Sequence, residues 1–148
     1  MKNPQLLKIT LFIALLIVAG AGESQARLGE TSAQIKTRYG ESFNGFGAPN
    51  GVTTCSFRLR NFIITVDFVK DKSISEKYHH VSGRQLTDSE IEALLNANAD
   101  GGKVQVKDKA AKEWNIVSDA KVVATASYST KEATLTVSQD EVNDMSGF

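Results

Sequence analysis

The run Thr54-Cys55-Ser56-Phe57-Arg58-Leu59-Arg60-Asn61-Phe62-Ile63-Ile64-Thr65-Val66-Asp67-Phe68-Val69 decides the fold. Cys55, Phe57 and Leu59 alternate with Thr54, Ser56 and Arg58, the period-two pattern of a strand with one buried face. Phe62, Ile64, Val66 and Phe68 then alternate with Ile63, Thr65, Asp67 and Val69, apolar on one side and half apolar on the other, as a central strand is. Arg60-Asn61 is the expected hairpin joint between them, and Lys70-Asp71-Lys72 the next. Working outward, a third strand is expected near 73–81. Further strands are expected over 103–107, 113–117, 122–129 and 133–138, with Asp100-Gly101-Gly102 as a turn. Hairpin-sized connections imply antiparallel pairing.

Two short helices punctuate these strands. Thr31-Ser32-Ala33-Gln34-Ile35 and Thr87-Asp88-Ser89-Glu90-Ile91 are both capping boxes, in which the threonine hydroxyl accepts from the N3 amide and Gln34 or Glu90 reaches back to the cap. The first helix is predicted over 32–39, closed by Gly40, and the second over 88–97, with Ile91, Leu94 and Leu95 on one stripe. Helices this short need something to dock on. The fold class expected is α+β: two tandem units of a short helix followed by antiparallel strands, the helices packed on one face of the sheet. The first unit covers 27–83 and the second 84–139, followed by a polar tail over 140–148.

The remaining N-terminal residues read as an address rather than as structure. Lys2 and Lys8 flank a start without acids, residues 9–18 are almost wholly apolar, and small residues follow at Ala19-Gly20-Ala21-Gly22. That is the order of a secretory signal peptide over 1–26, and its apolar core is shorter than a membrane span requires. Cleavage is expected after Ala26 or after Ala21, giving an exported protein, periplasmic or extracellular, without a stable span. Removing 1–26 leaves fifteen basic and sixteen acidic residues among 122, a net charge of −1. A neutral chain lacks the basic footprint of a nucleic-acid binder. One cysteine forms no internal disulfide, and no Cys/His cluster has zinc spacing.

The segment Leu28-Gly29-Glu30-Thr31-Ser32-Ala33-Gln34-Ile35, followed by Tyr39-Gly40 and an antiparallel meander, resembles secreted proteins of the beta-lactamase-inhibitor-protein-like class and the small outer-membrane lipoproteins of the barrel-assembly machinery. The shared pattern is a glycine, a threonine two residues later, Gln or Glu at N3, an aliphatic residue next, and Leu or Tyr before a closing glycine. The resemblance implies two tandem helix-plus-meander units and binding of proteins rather than catalysis. Glu41-Ser42 stand where the class usually has a proline, and the lipobox cysteine is missing.

Several motifs invite chemistry. Asn96-Ala97-Asn98-Ala99-Asp100-Gly101 imitates the start of a calcium loop, but Lys107 stands where its bidentate glutamate belongs, so helix end plus turn is expected. Gly45-Phe46-Gly47-Ala48-Pro49-Asn50-Gly51 lacks the spacing of a phosphate loop and reads as a flexible connection. His79 and His80 are strand neighbours pointing to opposite faces, which prevents both from ligating one metal easily. Cys55 reads as a small apolar strand residue. No catalytic, cofactor or metal residues are assigned. The candidate partner contacts are Phe43 and Phe46, either core plugs or contact residues, and Trp114, either core or interface anchor. The function expected is a secreted or periplasmic non-catalytic binding module whose partner is another exported protein. The alternatives are a small secreted hydrolase with an unidentified site or a structural subunit of an envelope assembly. The oligomeric state is not legible.

Overall fold

A computed structural model describes residues 27–139. The expected signal peptide and the polar tail lie outside them. Helix α1 spans Ser32–Tyr39, followed by β1 (Asn44–Gly47), β2 (Val52–Leu59), β3 (Phe62–Val69) and β4 (Lys72–His80). Helix α2 spans Asp88–Ala99, followed by β5 (Lys103–Asp108), β6 (Glu113–Ser118), β7 (Lys121–Ser129) and β8 (Thr134–Gln139). All eight strands join one antiparallel sheet in the order β1-β2-β3-β4-β8-β7-β6-β5.

This corrects the expectation of two tandem helix-plus-strand units. The described residues form one continuous eight-stranded sheet carrying two helices, 50% of them in strands and 18% in helices. The reason lies at the β4–β8 seam, where Ser75 through His79 pair with Ser138 through Thr134. That ladder leaves no boundary in the middle of the sheet, and one hydrophobic cluster runs beneath it from Phe57 on β2 to Ile116 on β6. Capping boxes are local devices, and their likeness says how each helix begins, not how the strands assemble.

Both boxes form. Thr31 Oγ1 accepts from the Gln34 amide at 3.3 Å while Gln34 Oε1 accepts from the Thr31 amide at 2.8 Å. Thr87 and Glu90 repeat the exchange at 3.2 and 2.9 Å. Leu86 and Ile91 flank the second cap and are both buried, the placement of a hydrophobic staple. The β3–β4 turn helps hold α1, since Asp71 Oδ1 accepts from the Ser32 amide at 3.1 Å. Lys70 and Asp71 both have positive φ, 48° and 60°, as do Asp119 and Ala120 in the β6–β7 turn. Two such central residues match the right-handed twist of the flanking strands.

Inward residues of the sheet (Ile64, Val66, Phe68, Leu135, Val137, Ala124, Ala126) meet Ile35 and Tyr39 of α1 and Ile91, Leu95 and Ala99 of α2 in the core. The opposite face is polar. Ser56, Thr65, Lys77, Thr136, Ser127 and Glu113 lie in register across six strands. One strand departs from the expected loop: Asn44–Gly47 pairs with Thr53–Ser56 as β1, so Phe46 sits on a sheet edge.

Candidate functional site

A groove of about 600 Å³ lies between α2 and the β5–β6 hairpin. Its floor and walls are Ile91 and Leu95 from the helix, and Val104, Val106 and Trp114 from the strands. Val106 and Trp114 are register partners on the core-facing side. Val106, on the edge strand β5, is left 63% exposed. Trp114 packs against the core on one side and opens to the groove on the other. The rims carry both signs of charge, Asp88 and Glu92 from α2 and Lys109 and Lys112 from the hairpin. Lys112 Nζ reaches Asp88 at 4.0 Å and sits 5.2 Å from the Tyr128 ring centroid. Tyr128 is itself fixed: its hydroxyl accepts from the Leu86 amide at 2.9 Å and donates to Gln85 at 2.7 Å.

A second constellation was not visible in the sequence. Glu76 on β4 is fully buried and accepts from Arg38 Nη2 at 2.7 Å, from the Tyr39 hydroxyl at 2.7 Å and from the Tyr78 hydroxyl. Asn98 Nδ2 on α2 donates to the Tyr78 oxygen at 2.9 Å, and Arg38 also pairs with Glu30 at 2.6 Å. The network ties α1, the middle of the sheet and the end of α2 together. Burial first, and then the Glu76 charge, push both tyrosine hydroxyls up, Tyr78 well above its ordinary value. Burial likewise raises the Glu30 carboxyl, against the pull of Arg38. Neutral tyrosines donating to a buried carboxylate make a structural knot. The sequence held one clue: Tyr78 is an inward strand residue, and Glu76 must share its face.

The other expected residues fall as follows. Phe43 and Phe46 are 61% and 58% exposed, not plugs over the core. They lie at the β1 edge, at the opposite margin of the sheet from Trp114, so the structure does not bring the three together. Asn98 is buried in α2, bonded to Tyr78 and to the Leu94 carbonyl, which removes it from any calcium loop. Cys55 is a free, partly buried thiol packed against the core, and burial raises its pKa. His80 sits edge-on to Phe62, and its Nδ1 bonds the Ser82 hydroxyl at 2.7 Å. Among the described residues, no group of three or more His, Cys, Asp and Glu side chains is placed to hold a metal ion. Among them too, no helix is long and apolar enough to cross a membrane.

No protein-family model matches the chain, and no curated protein matches it. Among solved structures, a cysteine-rich secretory protein from Staphylococcus aureus is similar at 12% identity and a TM-score of 0.46. The match covers 78% of this chain and 45% of that one, so this chain spans under half of its length. A likeness that slight transfers no property.

Proposed function

We propose that this chain is an exported, non-catalytic binding module that accepts apolar side chains from a peptide segment of another exported protein. The carrying observation is the groove itself, with Val106 and one edge of Trp114 open to solvent. Burying a side chain of that size contributes about 1.5–3 kcal/mol, and aromatic anchors in pockets dominate interface energetics. Rims of both signs suit a segment whose apolar residues are flanked by mixed charges. The resemblance of Gly29–Gly40 to secreted binding proteins points the same way, and the character of residues 1–26 supports export. Mass spectrometry of exported protein is expected to find a mature end at Arg27 or Gly22; an intact Met1 end would contradict export with cleavage.

The groove is tested by panning a random peptide library against the folded chain. Enriched peptides are expected to carry paired apolar residues and to lose binding to a Val106→Asp variant. Peptides that bind that variant equally well would contradict the assignment.

A further inference from the structure

We propose that β1 is the pairing edge for a second copy of this chain, joined antiparallel about a two-fold axis through Phe46. This rests on the opposite margin of the sheet from the groove and does not depend on it.

The two edges of the sheet differ in character. β5 carries Lys103, Lys107 and Asp108. A two-fold through Gln105 would set Lys103 against Lys107 of the other copy, the like-charge guard that natural edges use against pairing. β1 has no such guard. From Ser42 to Phe57 the chain has no charged residue. All four β1 residues are exposed, and Phe43 and Phe46 stand open beside them. Exposed apolar residues on an uncharged edge are what a partner strand covers.

The backbone supplies the register. The Ala48 amide donates to the Val52 carbonyl at 2.7 Å, so strand alternation also turns the peptide groups of Phe46 and Asn44 toward β2. The Phe43 amide reaches the same Ser56 that Asn44 opposes, which marks a bulge just before the strand. Gly45 and Gly47 are left with outward amide and carbonyl groups. A two-fold at Phe46 sets Gly45 opposite Gly47 of the second copy, and the reverse, so both become hydrogen-bonded pairs. Phe46 then faces Phe46 of the second copy across a non-hydrogen-bonded pair, where Cβ atoms approach within about 4.5–5.5 Å. Both copies keep their helices on the same side, and the two sheets run on as one.

The glycines leave this edge open. A Cβ at Gly45 would lie 3.4 Å from Cys55 Sγ, so this chain itself favours glycine there. A Cβ at Gly47 would meet nothing within 4 Å, and its φ is not positive. Nothing within one copy requires glycine at 47, and without a side chain its outward amide and carbonyl stand unscreened at the edge.

The test is sedimentation velocity over a concentration series, on protein expressed from the full 148-residue sequence. The wild type is expected to show reversible dimerisation. Gly47→Lys, which fits the single copy without strain, and Phe46→Ser are each expected to weaken association about tenfold or more. Val106→Lys at the other margin is expected to leave it unchanged. In a Cys55→Ser background, Phe46→Cys is expected to give a disulfide-linked dimer on mild oxidation. A wild type that stays monomeric up to about millimolar concentration, where even weak association registers, overturns the proposal. So does dimerisation that Val106→Lys abolishes and Gly47→Lys does not.

Discussion

Replacing Glu76 by Gln is expected to destabilise the protein strongly while changing its shape very little. The side chain is fully buried and accepts from Arg38, Tyr39 and Tyr78. Gln keeps one oxygen but loses the charge, and it turns an amide donor toward groups that are donors themselves. Arg38, whose side chain is 14% exposed, then keeps only Glu30 as an ionic partner. Its Nε and Nη1 have no hydrogen-bond partner among the described residues, so no spare hydrogen bond absorbs the loss, although the guanidinium stays stacked on the Tyr39 ring at 4.4 Å. Removing one member of a buried pair costs about 3–5 kcal/mol; with Glu30 and one Gln oxygen remaining, about 2–4 kcal/mol is expected. For a domain of this size that lowers Tm by roughly 10 °C or more. Thermal and urea denaturation of wild type, Glu76→Gln, Arg38→Met and the double variant measure it. The double variant should lose less than the sum of the singles, because the two side chains share one interaction. A Tm within about 3 °C of wild type for Glu76→Gln would refute the view that this network holds the helices to the sheet.

Two further outcomes follow from local geometry. Ala120→Gly is expected to raise stability by about 0.5–1 kcal/mol in urea denaturation, since φ of 60° strains an alanine but not a glycine; a loss of stability would show that the turn is not strained. Glu90 is held at a pKa of about 2, below its ordinary 4.5, by Arg84 Nη1 and Nη2 at 2.9 and 2.7 Å and by the Thr87 amide. Because the folded carboxylate ionises more readily than the unfolded one, its contribution is present above pH 4.5 and lost as the pH falls to about 2. The Tm gap between wild type and Glu90→Gln should therefore be open at neutral pH and close over that acid range; a gap independent of pH would contradict the assignment.

The strands and caps were legible because they rest on local chemistry. Alternation from Thr54 to Val69 marks β2 and β3, and the threonine-to-N3 exchange marks both helix starts. What joined these elements was not legible. The β4–β8 seam pairs residues about sixty positions apart, and two similar caps suggested tandem units where the sheet is continuous. β1 was missed because Asn44-Gly45-Phe46-Gly47 has no apolar alternation and takes its order from β2. Glu76 was missed because a carboxylate between Ser75 and Lys77 reads as solvated until Arg38, Tyr39 and Tyr78 converge on it. Trp114 was singled out from its residue type, but the groove beside it depends on how α2 meets the β5–β6 hairpin, which no local pattern records.

The most direct test of the groove uses Trp114, the single tryptophan of the chain. Its fluorescence is titrated with a peptide selected against the folded protein, in wild type and in Val106→Asp. A saturable blue shift is expected in the wild type as the indole loses water, and no shift in the variant. Saturable binding by calorimetry with unchanged tryptophan emission would place the partner elsewhere on the molecule and rule the groove out as its seat.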